Sequence, residues 1–101
     1  SGTEDKNGNI WIATFGGLLR FSKETQKFTL ITEMDGILSN NLYAILVDRN
    51  NQIWLGTQVG ITRLSIDVKG TILKIRNYDK NSGFAGLEAN EKAIYEDKAG
   101  N

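Results

Sequence analysis

Apolar residues in this chain fall in short, strand-length runs separated by clusters of Gly, Asn, Asp and Ser roughly every 8–12 positions, a spacing that suits β-strands and not helices. Four such runs make one unit. They predict strands over 42–47, 52–57, 61–66 and 71–78, with counterparts of the last three over 9–15, 18–22 and 27–32. In the second strand of each unit, Ile10-Trp11-Ile12 and Ile53-Trp54-Leu55, apolar side chains stand at consecutive positions. Burial on both faces is therefore expected, as for a strand sandwiched between neighbouring sheets.

The units are copies of one another. Residues 4–22 align with 47–65 at an offset of 43, and eight of the 19 pairs are identical: Asp5/Asp48, Asn7/Asn50, Ile10/Ile53, Trp11/Trp54, Thr14/Thr57, Gly17/Gly60, Arg20/Arg63 and Ser22/Ser65. A third copy begins near the end, where Asn90 to Asp97 align with Asn41 to Asp48 at an offset of 49. The longer spacing is assigned to loops at 67–70 and 82–86, where turn-forming residues collect. Periods of about 40–50 residues with several strands each mark β-propellers. Gly8, Asn51 and Gly100 share one repeat position, where a hairpin with a left-handed residue is expected; Gly17 and Gly60 share the next hairpin.

The fold class expected is all-β: propeller blades of four antiparallel strands, about two of them present. Residues 1–35 are expected to form a partial blade holding the second to fourth strands, 36–82 a complete blade, and 83–101 the first strand of the next. A propeller closes with about four to eight blades. Two completions are expected: the remaining blades of a longer parent chain, which is favoured, or other copies of this chain joined head to tail.

The blade consensus resembles the two-component regulator propeller repeat. The resemblance is carried by Asp5-x-x-Gly8-Asn9-Ile10-Trp11-Ile12-Ala13-Thr14 with Gly17-Leu18, by Asp48-x-x-Asn51-Gln52-Ile53-Trp54-Leu55-Gly56-Thr57 with Gly60-Ile61, and by the lead-in Gly36-Ile37-Leu38-Ser39-Asn40-Asn41. Ala13, Asn51 and Ile61 are mild departures. In that family such blades build large propellers in the periplasmic sensor half of bacterial hybrid histidine kinases, often from gut Bacteroidetes, where they respond to oligosaccharides. The resemblance implies a sensor or ligand-recognition segment of an inner-membrane receptor, in the periplasm or another extracytoplasmic space, with the kinase activity in a part of the parent not represented here. The alternative is a non-catalytic scaffold for structure or protein contacts. A propeller lyase is a third reading, since one streptogramin-inactivating family is similar at blade level.

Composition narrows the chemistry. Lys plus Arg and Asp plus Glu number 12 each, so no net charge draws in nucleic acid or an anionic membrane. Cysteine and histidine are both absent. Thiolate metal sites and imidazole base catalysis are thereby excluded, so these residues are expected to form no catalytic site, no metal site and no cofactor site. The lyase chemistry of the third reading leans on histidine. No run reaches the roughly 20 apolar residues of a membrane span, so no direct insertion is expected.

Candidate residues carry two readings each. Trp11 and Trp54 suit sugar stacking, but their doubly buried strand favours packing between blades. Asp5, Asp48 and Asp97 lack the alternating oxygen ligands of a calcium loop and are read as turn carboxylates bonding their own backbone. Arg20 and Arg63 are read as a salt bridge or a solvated face before an anion site. The loop residues Asn40, Glu88 and Glu91, with Tyr43 nearby, are the candidates for ligand contact, because recognition groups gather on loops held by a rigid scaffold.

Overall fold

The computed structural model describes residues 1–79. It is all-β: two antiparallel four-stranded sheets in sequence order, β1-β2-β3-β4 and β5-β6-β7-β8. The first blade contains β1 (Gly2–Glu4), β2 (Ile10–Thr14), β3 (Gly17–Ser22) and β4 (Lys27–Ile31). The second contains β5 (Leu42–Val47), β6 (Ile53–Thr57), β7 (Gly60–Ile66) and β8 (Ile72–Asp79). A single 3-10 turn, Glu33–Asp35, interrupts the connection between the sheets. The expected first strand of a third blade, with Asp97, Gly100 and the 82–86 loop, lies outside the described residues.

One expectation is corrected. Residues 1–35 hold four strands, because Gly2–Glu4 pairs with β2 in the register Gly2 to Ile12 and Thr3 to Trp11. That register repeats, 43 positions on, as Ile45 to Leu55 and Leu46 to Trp54. Gly2-Thr3-Glu4 lacks the apolar side chains of Ile45-Leu46-Val47, so nothing in its composition announces a strand. Its place is set by backbone pairing, which Ala13 N extends by donating to Ser1 O at 2.7 Å.

Among the described residues, three Asp-x-x-Gly/Asn turns share one geometry. In each, the residue three after the aspartate donates to its carbonyl: Gly8 to Asp5, Asn51 to Asp48 and Gly70 to Asp67. Gly8, Asn51 and Gly70 take positive φ of 89°, 59° and 83°, the left-handed region that Gly and Asn enter at least cost.

The main core lies between the blades. Trp11, Ala13, Leu18 and Ile31 of the first pack with Ile53, Leu55 and Leu64 of the second, and Ile37 and Leu42 close one end. Register explains the division. Trp11, Arg20 and Thr29 share a row, as do Ala13, Leu18 and Ile31, so these rows point to the second blade. Ile10, Ile12, Leu19, Phe21, Phe28 and Leu30 point the other way. Both faces of β6 are buried as expected, whereas in β2 only Trp11 and Ala13 are. In β6 the second face is closed from within its own sheet, by Tyr78 and Arg63 over Trp54, whereas among the described residues nothing covers the outer face of the first blade.

Candidate functional site

The repeated residues form a polar seam at the turn end of the blade joint. Asp5 accepts four hydrogen bonds: Oδ1 from Asn7 N (2.9 Å) and Asn9 N (3.0 Å), Oδ2 from Asn9 Nδ2 (2.9 Å) and Trp11 Nε1 (2.9 Å). Asp48 accepts three, from Asn50 N, Gln52 N and Trp54 Nε1, the last at 2.7 Å. The carboxylate thus fixes its turn and orients the indole together. A tryptophan six residues after the aspartate reaches it because the intervening hairpin reverses the chain.

Arg20 corrects the reading of the repeated arginines as salt-bridged or solvated. Its Nη1 donates across the joint to the carbonyl of Gly70 at 2.6 Å, and Nη2 donates to Thr29 Oγ1 at 3.1 Å. The acceptor is the backbone of the neighbouring blade. Around it, Asn9 Nδ2 reaches Val68 O, Lys6 N donates to Asn51 Oδ1 at 2.8 Å, and Lys6 Nζ donates to Arg49 O. Arg20→Ala is expected to lower stability by about 1.5–3 kcal/mol, the range for a hydrogen bond to a charged group. Arg20→Lys should restore only part of this, because a single ammonium does not reproduce the planar fork; urea unfolding of the three proteins checks both.

The two indoles share their aspartate, their register and an arginine opposite, and both are buried, at 0% and 3% exposure. What covers them differs. Trp11 lies against the second blade, whereas Trp54 is covered by its own sheet: Tyr78 stacks on it at 6.1 Å with the planes 18° apart, and the Arg63 guanidinium sits 5.5 Å from its centroid. Neither ring is open for sugar stacking in this structure.

The opposite end of the joint holds the hairpins at 14–17 and 57–60 and the connection at 32–41. Each hairpin is tied by its threonine, Thr14 Oγ1 and Thr57 Oγ1 donating to Gly17 O and Gly60 O. In the connection, Thr32 and Asp35 form a reciprocal capping box over the 3-10 turn, and Gly36 ends it at φ 113°. Asn40 bonds reciprocally with Glu33: Glu33 N donates to Asn40 Oδ1 at 2.7 Å, and Asn40 N to Glu33 Oε2 at 2.9 Å. Both groups hold the loop in shape.

Tyr43 sits at a β-bulge: Leu42 pairs with Thr57 and Ala44 with Gly56, leaving Tyr43 as the extra residue. Bulges re-aim side chains at sheet ends. Here the ring meets Phe15 edge to face, 5.5 Å between centroids, and Phe15 is 69% exposed. Sequence reasoning included Phe15 in a strand and did not single it out. Its signal was available, since the same repeat position holds Gln58 in the second blade and an exposed hairpin position has no packing need for an aromatic. Glu88 and Glu91 lie outside the described residues. A groove of about 450 Å³ along Ile31, Asp35 and Ile72 to Ile75 is lined by none of the candidates.

Two comparisons bear on this arrangement. The family model described as two component regulator propeller matches residues 3–16 and 36–58, the stretches that contain both Asp-to-Trp hairpins and the later part of the connection between blades. Over 70 residues, 63% of the chain, the sequence is 36% identical to histidine kinase P4 of Formosa agariphila. The chain spans about 5% of the length of that relative.

Proposed function

Since this chain is built of repeats of the two component regulator propeller family, we propose that it is a ligand-recognising segment of the extracytoplasmic sensor of a two-component receptor, with oligosaccharides as the ligand class. The match to propeller repeats and the likeness to a histidine kinase support a signalling-receptor propeller segment. No helix among the described residues is long and apolar enough to cross a membrane. The segment itself is non-catalytic in this reading, and transmission belongs to the rest of the parent.

The observation that carries the ligand reading is the exposed Phe15 ring propped against Tyr43 at the loop end of the blade joint. An aromatic face fixed by a bulge on one side and a hairpin on the other presents apolar area at little further ordering cost. Stacking on a sugar ring needs such a surface, with hydrogen-bonding groups at its margin. Calorimetric titration of the chain with a panel of oligosaccharides is expected to give saturable binding to one class. Phe15→Ala should weaken it at least about tenfold, the scale of one aromatic contact at an interface. Silence against every class would remove the ligand reading. The scaffold reading would then stand, favoured by the reciprocal bonds through which Glu33 and Asn40 engage each other and leave loop polarity spent internally.

A further inference from the structure

The Asp5 turn carries one side chain that the polar seam leaves idle. Asn7 is exposed, and its carboxamide makes no hydrogen bond to the described residues; its backbone N–H alone is engaged, on Asp5 Oδ1 at 2.9 Å. Asn7-Gly8 is the one Asn-Gly pair in the sequence. Such a pair has a chemistry of its own, because the amide nitrogen of the second residue can attack the asparagine Cγ and glycine has no Cβ to obstruct the approach. The repeat supplies a comparison. Asn50 stands at the same place in the Asp48 turn, also exposed and with its N–H on Asp48 Oδ1 at 2.8 Å, but Asn51 follows it and brings a side chain against the attacking nitrogen.

We propose that Asn7 is a site of spontaneous covalent modification, deamidation through a cyclic imide, that the contact between blades gates the reaction, and that its isoaspartyl product releases the Trp11 anchor. In ring closure Gly8 N, having lost its proton, forms a bond to Asn7 Cγ; the Cγ–Nδ2 bond breaks and ammonia leaves with that proton. Water then opens the imide. Cleavage between Gly8 N and Cγ gives aspartate. Cleavage between Gly8 N and the original main-chain carbonyl gives isoaspartate, whose backbone runs through Cβ and Cγ and is one carbon longer.

The folded turn withholds the nucleophile. Gly8 N donates to Asp5 O at 3.1 Å, which holds the proton that must leave and fixes the Asn7 torsion that must rotate for the ring to close. Reaction therefore waits for local opening. Opening breaks this bond and that from Asn7 N to Asp5, and it releases Lys6, whose N–H donates across the joint to Asn51 Oδ1 at 2.8 Å and whose ammonium reaches Arg49 O. The neighbouring blade thus sets the rate at a residue that itself faces solvent. The products differ in consequence. Aspartate leaves the backbone as it was and alters a side chain without a partner. Isoaspartate lengthens the loop between Asp5 O and Gly8 N, so the turn no longer closes while Asn9 N and Trp11 Nε1 share the same carboxylate.

The test is incubation of the full chain at mildly alkaline pH, native and in guanidinium chloride, with tryptic peptides followed by mass for the gain of one unit that replacing NH2 by OH produces. Cleavage after Lys6 and Arg49 places Asn7 and Asn50 in separate peptides, and fragment spectra assign the residue within each. In denaturant Asn7 is expected to convert ahead of Asn50; in the native chain its rate should fall at least about tenfold, the scale of the hydrogen bonds that opening breaks. Asn51→Gly keeps a residue suited to positive φ and removes the acceptor for Lys6 N, so it should raise the native rate at Asn7 at least about threefold and leave the denatured rate unchanged. Arg20→Lys, which weakens the same joint at Gly70 O, serves if Asn51→Gly does not fold. Asn7→Asp should unfold at the parent's denaturant midpoint, whereas the isoaspartyl fraction, separated by ion exchange, should unfold earlier with red-shifted tryptophan emission. Equal rates at Asn7 and Asn50 in denaturant, equal native and denatured rates at Asn7, a native rate unmoved by loosening the joint, or an isoaspartyl fraction as stable as the parent would each overturn the proposal.

Discussion

Asp5→Ala is expected to destabilise the chain by about 4 kcal/mol, a loss that places it among the few single substitutions able to remove most of a small domain's stability. The carboxylate is 5% exposed and accepts from two backbone amides, the Asn9 amide and the Trp11 indole. Truncation leaves four donors at or near a buried joint without their acceptor, and each such group costs about 1–3 kcal/mol before relaxation. Asp48→Ala is expected to cost less, about 2–3 kcal/mol, because Asp48 has three donors and its indole bond is only partly buried. Asp5→Asn should resemble the alanine variant more than the parent. One oxygen still serves Asn7 N and Asn9 N, but the new NH2 faces two other donors, Asn9 Nδ2 and Trp11 Nε1. Urea unfolding followed by tryptophan fluorescence ranks the three variants; equal losses for Asp5→Ala and Asp48→Ala would contradict the account.

The aspartates also show what kind of information the sequence carried. Identical residues at an offset of 43 located the strands, the hairpins and the turn carboxylates, because side-chain alternation and turn chemistry are local and repeat with the unit. The bond from indole to carboxylate was within reach, since Asp and Trp recur together at a fixed spacing, but only the hairpin geometry shows that the spacing brings them into contact. Arg20 was less legible. Its partner is the Gly70 carbonyl, and a backbone acceptor leaves no side-chain mark at the position that supplies it. The strand Gly2–Glu4 was missed for a related reason, since its pairing rests on backbone groups while its side chains are Gly, Thr and Glu. At the candidate site, Tyr43 could be placed near a loop, but its bulge depends on the register of β5 against β6, and Phe15 becomes its neighbour only once two blades are stacked. Contacts between blades are not periodic within a blade, so the pattern of one unit does not contain them.

Gly60→Ala is the second substitution of large expected effect. A Cβ there would stand 2.2 Å from the Tyr78 carbonyl oxygen, 2.7 Å from Asp79 Cα and 2.8 Å from Leu38 Cδ2, and two of those three are backbone. Because Gly60 pairs with Asp79 and Ile61 with Tyr78, relief requires the end of β8 to move away from β7. A cost of about 3 kcal/mol or more follows from overpacking against atoms that cannot rotate aside. Gly16→Ala is the matched control: its nearest neighbour would be Thr14 Oγ1 at 3.9 Å, and the change should stay within about 0.5 kcal/mol. The consequence reaches past stability. Tyr78 covers Trp54 and braces Arg63, so displacing its backbone should expose the indole and red-shift its emission before the blade unfolds. Red-shifted tryptophan emission in Gly60→Ala at denaturant-free conditions, with the first blade still folded by hydrogen exchange, is the expected result. An unchanged unfolding midpoint would show that the hairpin tolerates a side chain where the strand ladder leaves no room for one.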